Sequence, residues 1–544
     1  MPIDAAAWTH LRDEAFRWIA VDPDPATRLE MQQVLAAALT RQDDAIRQLA
    51  ARLTGPLRFG TAGLRGPVRA GPSGVNRAVV RRTTAGLAAW LMDSKYAGAR
   101  VVVGRDARHG SEAFCTEAAG VLTAAGFDVH VLPSPLPTPV LAFAVRQLKA
   151  AAGVQITASH NPPADNGYKV FLADGAQLRS PVDAMVEAAI DAQPGATSIP
   201  VAEGWAGVDT SLLEAYLDRV ASLPRGTARE LRVAVTPMHG VGGESVTEAL
   251  RRAGFTDVHM VASQAKPDPD FPSVAFPNPE EPGATDALLA LAAEVEADLA
   301  VALDPDADRC ALGVPLPESA GGGWRMLHGD ETGELLAEHV LSTLDRTEHP
   351  DPLVATTVVS SSMLRRIASV HGARCAVTLT GFKNIARAGR GLIYGYEEAL
   401  GYCVDPAAVA DKDGISAAVL ACDLAATLKA AGRSLQDVLD ELSIAHGVHL
   451  TEGISFDLDR ASINALVARL KDELSAELPA PDVLVLREEH DRVVIRPSGT
   501  EPKLKTYIEI VEPVPEPTEL PAARARAAER MAQAREDVRT LLGL

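Results

Sequence analysis

The sequence predicts an α/β protein built as three successive α/β units followed by a smaller α+β domain. Apolar runs of strand length alternate with helix-length periodic stretches, the pattern of βαβ construction. The alternation restarts twice, each time after a stretch rich in glycine and proline. Beyond about residue 445 it gives way to several strands and a closing polar helix. At roughly 150 residues per domain, a chain of 544 residues suggests three or four domains.

Residues 1–54 carry helical periodicity (Leu11, Phe16, Ile19, then Leu29, Val34, Leu35) and predict a helical N-terminal extension. The first unit then runs strand 99–106, helix 111–125, strand 128–132, helix 138–149 and strand 152–157, a mostly parallel arrangement. The second runs strand 231–237, helix 243–253, strand 258–261, helix 284–296 and strand 299–303. The third has strands at 353–359, 374–379 and 392–396, a helix at 361–370, and a long helix from Gly414. Strands at 448–458, 482–487, 493–495 and 506–511 follow, then a helix rich in Ala, Arg and Glu. Breaks near 193–210, 315–324 and 445 divide the chain into 1–205, 206–318, 319–445 and 446–544. The proline-rich segment 266–282 (KPDPDFPSVAFPNPEEP) cannot be regular structure and is expected as an ordered loop or crossover.

Charge and composition narrow the function classes. Lys and Arg number 52 against 72 Asp and Glu, a formal charge of −20 that argues against nucleic acid or an anionic membrane as the main partner. A hydrophobic share of 47% with 23% charged residues excludes wholesale disorder. The first residues show no secretory signal, and no window approaches the ~20 apolar residues that span a bilayer. Cys115, Cys310, Cys375, Cys403 and Cys422 are scattered, with no C-x-x-C, so reduced thiols and a cytoplasmic location are expected.

Three segments carry chemistry. Thr157–Pro162 (TASHNP) follows an apolar strand, at the strand end where open α/β sheets bind ligands, and presents a serine hydroxyl beside His160. Asp304, Asp306 and Asp308 (DPDADR) repel one another unless a cation sits among them, and oxygen-only ligands suit a hard ion such as Mg²⁺. An EF-hand is excluded because its glycine position is Arg309 and its closing glutamate position is Pro315. Arg496–Lys503 (RPSGTEPK) offers a guanidinium, two hydroxyls and a close-approach glycine, the inventory of a phosphate cradle. Phe59–Gly66 is a Gly-rich loop holding Arg65, and Tyr394–Gly401 places two acids after a strand. Asn166–Lys169, Thr380–Lys383 and Asp411–Gly414 each set a lysine beside a glycine turn. Gly240–Gly243 begins like a dinucleotide fingerprint, but Ser245 stands at the third glycine position, so a nicotinamide cofactor is set aside.

Together, TASHNP, DPDADR, the G-x-E-E-x-x-G loop and RPSGTEPK, in this order, resemble the α-D-phosphohexomutases. The FGTAGLRG start, the helical extension and the PDPDFP…PNPEEP segment are similar to the branch that holds bacterial phosphoglucomutases and phosphopentomutases. The resemblance covers about residues 57–510. It implies four domains around a central cleft, three with mixed sheets plus the smaller α+β domain. It implies a phosphosugar mutase that acts on a sugar phosphate, glucose or mannose, with a pentose phosphate as the alternative. Mg²⁺ and a sugar 1,6-bisphosphate activator are implied with it.

Carried over by motif, Ser159 is the phosphorylated serine, and Asp304, Asp306 and Asp308 bind the metal together with it. Arg65, His160, Lys169, Arg309 and Lys412 line the reacting centre. Glu397 holds sugar hydroxyls, with Gly381 and Lys383 in the sugar-specificity loop. Arg496, Ser498, Gly499 and Thr500 hold the phosphate that is not reacting. One departure is Ala399, where many members carry serine, which removes a potential hydroxyl contact to the sugar. Two other classes compete. An aspartyl-phosphate phosphatase using Asp304 and Asp306 leaves TASHNP and RPSGTEPK unexplained, and a mere sugar-phosphate-binding protein has no need of a phosphorylatable serine.

Overall fold

A computed structural model describes residues 5–40, 42–60, 63–316, 321–498 and 503–543. The extension is three helices, Ala5–Val21, Pro25–Leu39 and Asp43–Arg52. Trp8, Leu11, Ala15 and Trp18, spaced three and four apart, pack on Met31, Leu35 and Leu49 and close against Ala70 and Ala78 of the first domain. That phase turns Phe16 away from the core. Phe16 and Leu29, expected on the inner face, are each 54% exposed.

The first sheet orders its strands Leu64–Pro67, Asp165–Leu172, Ala152–Ile156, Arg100–Arg105, Asp128–Val131, Ala206–Gly207. Arg100–Arg105 pairs in parallel with both of its neighbours, whereas Asp165–Leu172 runs back antiparallel beside Ala152–Ile156. The second sheet repeats this scheme in the order Trp324–Met326, Cys310–Pro315, Leu299–Leu303, Arg232–Thr236, Asp257–Met260. The third does so with Arg374–Thr378, Leu353–Thr357, Leu392–Glu397, Gly401–Cys403. The sheets are therefore mixed: strands Arg100–Arg105, Asp128–Val131 and Ala152–Ile156 of the alternation pair in parallel as expected, and the antiparallel returns extend the sheet at one edge. Asn166–Lys169, expected as a turn, lies inside strand Asp165–Leu172. Gly167 is there for close approach: a Cβ would stand 2.5 Å from the Thr157 carbonyl oxygen of the next strand.

The last domain is an antiparallel sheet ordered Val448–Asp457, Lys503–Glu512, Asp491–Pro497, Val483–Arg487, Glu477–Ala480. Helices Arg460–Glu473 and Leu520–Leu542 cover it over a core that includes Leu470, Leu484, Ile495, Leu504 and Ile508.

One device recurs in all four domains. The segment carrying each motif links two neighbouring antiparallel strands: 157–164, 304–309, 398–400, and the turn after Pro497. In the last, the Ser498 N–H donates to the Lys503 carbonyl at 2.8 Å, and Gly499 and Thr500 lie outside the described residues. In the first three domains such a tip is fixed at both ends by sheet hydrogen bonds, so the segment is held more rigidly than a βα crossover loop.

A single apolar core runs from helix Thr138–Gln147 through helix Ser211–Ala221 and the second sheet to helix Gly414–Ala430, joining the first three domains. The fourth meets the third through a small cluster of Val358, Val359, Val483, Val485 and Val494. Among the described residues no single helix is long and apolar enough to cross a membrane.

Candidate active site

Strand Ala152–Ile156 is buried along its whole length and delivers Ser159 to the sheet edge. Ser159 adopts φ +55°, a left-handed conformation costing an L-residue about 1–2 kcal/mol. Its N–H donates to Thr157 Oγ1 at 2.9 Å and its carbonyl accepts from Arg108 Nη2 at 2.5 Å. The turn aims the hydroxyl inward, where it donates to Asp304 Oδ2 at 2.7 Å and lies 3.1 Å from His160 Nδ1. Burial, and then Arg309 and Arg65, push the His160 imidazole well below its ordinary pKa, so it is neutral.

Asp304, Asp306 and Asp308 are fully buried, with carboxylate oxygens within 4.8 Å of one another. Glycines let neighbouring backbone press against their loop. A Cβ on Gly240 would lie 2.3 Å from Pro305 Cα, and one on Gly414 would lie 2.3 Å from the Arg309 carbonyl oxygen. The Gly240–Gly243 run thus has a packing task. Lys169 Nζ bridges Asp306 Oδ2 at 2.6 Å and Asp308 Oδ2 at 2.7 Å, and Lys412 Nζ is 3.3 Å from Asp308.

Burial and the two neighbouring carboxylates hold Asp304 well above its usual range. For Asp306 burial acts in the same direction, but Lys169 and Thr138 overcome it and pull the group down. Thr138 Oγ1 donates to Asp306 Oδ2 at 2.5 Å. Asp306 Oδ1 and Asp308 Oδ1 are buried without a hydrogen-bond partner. Unsatisfied carboxylate oxygens are costly in a dry site, and this all-oxygen donor set fits a hard divalent cation such as Mg²⁺.

Arg65 Nη1 donates to Asn161 Oδ1 at 3.1 Å, on the serine loop. Arg309 donates its N–H to Asp304 Oδ1 at 3.0 Å and its Nη1 to Glu280 Oε2 at 3.2 Å. Glu280 comes from the proline-rich segment, which therefore reaches the site. Glu397 stands at the end of strand Leu392–Glu397. Burial raises its pKa to about 7, against the downward pull of Lys412. Gly401 makes room for both side chains, since a Cβ there would meet Lys412 Cδ at 2.3 Å and Glu397 Cγ at 3.0 Å. Gly381, at φ +100°, opens the short helix Phe382–Ile385. Phe382 lies 5.7 Å from Lys412 Nζ, and Lys383 Nζ reaches the Gly60 carbonyl at 3.5 Å.

A cavity of about 380 Å³ opens beside this cluster, lined by Glu280, Asp330, Glu398, Ala399, Lys505 and Tyr507 among others. Arg496 sits over the Tyr507 ring at 5.7 Å, and its Nε is buried without a hydrogen-bond partner among the described residues. The structure thus brings Ser159, His160, Lys169, the three aspartates, Arg309 and Lys412 into one connected network. Arg65 joins it through Asn161, and Arg496 stacks on Tyr507, which lines the cavity. Arg108, Thr138 and Glu280 are site residues that motif reading missed. Arg108 had one signal, its place in GRDAR at the end of a strand; Glu280 had its place in the PNPEEP segment, and Thr138 had none.

The chain matches the phosphoglucomutase/phosphomannomutase family in every domain. Alpha/beta/alpha domain I covers residues 56–195, domain II 214–316, domain III 328–444, and the C-terminal domain 459–527. The chain belongs to this family. It is therefore a phosphomutase, an isomerase that relocates a phosphoryl group. A Haemophilus influenzae relative named "Probable phosphomannomutase" is 39% identical over 80% of this chain and 93% of its own length. The Mus musculus phosphopentomutase is 32% identical over 92% and 90%, and a Staphylococcus epidermidis phosphoglucomutase 33% over 84% and 91%. A crystal structure of a phosphoglucomutase/phosphomannomutase family protein from Burkholderia thailandensis shares this phosphomutase's fold. Its TM-score is 0.69 at 21% identity, covering 89% of this chain and 97% of that one.

Proposed function

We propose that this chain interconverts sugar 1-phosphates and 6-phosphates, glucose phosphate foremost and mannose phosphate next, through a phosphoserine at Ser159. The observation that supports this most is the Ser159 hydroxyl, 1% exposed and 2.7 Å from the buried aspartate triad. Phosphorylated Ser159 gives its phosphoryl group to a free hydroxyl of the bound sugar monophosphate. The Ser159 Oγ–P bond breaks as the sugar O–P bond forms, and the proton lost by the sugar returns to Ser159 Oγ. The resulting sugar 1,6-bisphosphate, which also serves as activator, turns over and returns its other phosphate to Ser159. The serine proton then leaves for the sugar oxygen by way of Asp304 Oδ2 or neutral His160 Nδ1, the two groups that hydrogen-bond the hydroxyl.

Asp304, Asp306 and Asp308 would hold Mg²⁺ with the phosphoserine; when bound, it withdraws negative charge from the phosphoryl oxygens. Arg65, Lys169, Arg309 and Lys412 supply further positive charge around the transferring group. Glu397, with Gly381 and Lys383, binds the sugar. Arg496, Ser498, Gly499 and Thr500 hold the idle phosphate in both orientations, which is what allows one site to isomerise. The buried serine keeps water from the phosphoseryl bond.

A second reading is a phosphopentomutase using the same chemistry. It is favoured by the Mus musculus relative, which matches over 92% of this chain, further than the Haemophilus protein does. Steady-state rates on glucose 1-, mannose 1- and ribose 1-phosphate, with bisphosphate and Mg²⁺ present, test both. The highest kcat/KM on ribose 1-phosphate would select the second. No isomerisation of any of the three would overturn both.

A further inference from the structure

We propose that Arg108 and Asp106 are positioning residues that set the Ser159 backbone for phosphoryl transfer, a role that rests on Ser159 as the phosphoryl carrier. Neither touches the serine hydroxyl, yet the Ser159 carbonyl and the loop that follows are held by them. Arg108 Nη2 donates to the carbonyls of Ser159 at 2.5 Å and Asn161 at 2.6 Å. Its Nη1 donates to those of Pro162 at 2.8 Å and Asp165 at 3.2 Å. Four carbonyls of one hairpin tip are gathered on one guanidinium.

Asp106, itself 1% exposed, anchors that guanidinium. Its Oδ1 accepts from the Arg108 N–H at 3.0 Å and from Ser111 Oγ at 2.6 Å, and its Oδ2 lies 3.4 Å from Arg108 Nε. The Ser159 N–H is held by Thr157 Oγ1, and its carbonyl by Arg108, which Asp106 anchors. Both contacts act on the residue with φ +55°, the conformation that aims Oγ at Asp304.

The clamp also senses the second domain. Phe271, in the proline-rich segment, lies over the Arg108 guanidinium at 4.9 Å, and its neighbour Asp270 accepts from His109 Nε2 at 2.7 Å. The domain that presents Asp304 therefore also covers the group that orients the serine. A lysine cannot replace this arrangement, because one ammonium cannot address four spread carbonyls in the plane of a fork.

The test is Arg108→Lys in the full chain, with three readouts. These are kcat and KM on glucose 1-phosphate, the rate at which glucose 1,6-bisphosphate phosphorylates Ser159 (by intact mass), and the thermal unfolding curve. The phosphorylation rate and kcat should fall together by at least about tenfold, the scale of misplacing a reacting group by a fraction of an ångström, while KM stays within about threefold. Asp106→Asn keeps the Oδ1 acceptor and should show the same split with a smaller loss. A variant that phosphorylates Ser159 at the parent rate, or one whose loss lies in KM alone, overturns the proposal. If Arg108→Lys does not fold, an unchanged phosphorylation rate in Asp106→Asn overturns it. A parent chain that takes no phosphoryl group on Ser159 would instead sink the carrier role, which separates the two failures.

Discussion

The serine–aspartate half of the site and the sugar half are built on opposite principles. Around Ser159 the side chains are out of solvent and paired with one another, apart from Asp306 Oδ1 and Asp308 Oδ1, whose partner would be the cation: Lys169 spans two aspartates, Thr138 supports one, and Arg108 pins the turn. The sugar half is incomplete by itself. Glu397 is pushed to about 7 by burial, Arg496 Nε has no hydrogen-bond partner among the described residues, Ala399 contributes no hydroxyl, and a cavity of about 380 Å³ lies between the second, third and fourth domains. Fixed charge is useful where the same phosphoryl transfer recurs in every turnover, because it needs no reorganisation. Unmatched donors and acceptors are useful where the substrate must supply the partner, because a wrong substrate leaves them unpaired. Damage to the first half should therefore fall on kcat, and damage to the second mainly on kcat/KM and KM.

The largest effect should come from Ser159→Ala. Loss of the covalent carrier should lower kcat by at least about a thousandfold while substrate KM changes little. Retention of more than about a tenth of kcat, a loss of only ~1.4 kcal/mol, would place the chemistry elsewhere. Removal of the cation should be almost as severe. Excess EDTA should stop turnover and Mg²⁺ restore it, because three buried carboxylates with two unsatisfied oxygens need a positive charge beyond Lys169. Full activity in EDTA would remove the metal from the mechanism.

The two halves were not equally legible in the sequence. Ser159 and the three aspartates were readable because each follows an apolar strand, and strand ends locate ligands in α/β sheets. The hairpin returns that frame those motifs were hidden. Asn166-Gly167 has turn propensity locally, and the approach of the Thr157 and Leu64 carbonyls from its two sides explains its glycine. Gly240–Gly243 was similarly opaque, because its reason is Pro305, more than sixty residues away. Arg108 binds carbonyls, and carbonyl acceptors leave no trace in residue identity. The phase of the first helix was misjudged at Phe16 because apolar residues lie on more than one face, and the two tryptophans, Trp8 and Trp18, decided which face is buried.

On the sugar side the effects should be smaller and of another kind. Arg496→Ala should raise KM by about 10- to 100-fold, the scale of a lost charge-assisted hydrogen bond, with a lesser change in kcat. A dominant loss of kcat would mean that Arg496 acts on the transferring phosphate. Glu397→Gln should lower kcat/KM for hexose phosphates by about tenfold. Glu397 also predicts a pH signature. With its pKa raised to about 7, it is neutral below that pH and accepts sugar hydroxyls with both oxygens, as a carboxylate, only above it. Because kcat/KM reports the free enzyme, it should rise with pH through about 7 in the parent and lose that rise in the glutamine variant. An unchanged inflection would assign it to another group.

The smallest expected effect concerns Ala399, and it sharpens the comparison most directly. Ala399 lines the cavity two residues after Glu397 and offers no hydrogen bond to a ring hydroxyl. Glucose and mannose phosphates differ in the configuration of one hydroxyl, so a site with one fewer polar partner should separate them weakly, by less than about tenfold in kcat/KM. Ala399→Ser restores a hydroxyl that can donate and accept. It should shift the glucose-to-mannose ratio by about three- to tenfold, the scale of one neutral hydrogen bond, with kcat on the better substrate nearly unchanged. Pentose phosphates should respond differently. They change the distance between the two phosphate-bearing ends, which under the proposed mechanism Ser159 and Arg496 would read rather than residue 399. An Ala399→Ser variant that altered the hexose-to-pentose ratio as much as the glucose-to-mannose ratio would show that the sugar half reads overall size. In that case the division between a fixed phosphoryl centre and a hydroxyl-reading pocket would not hold.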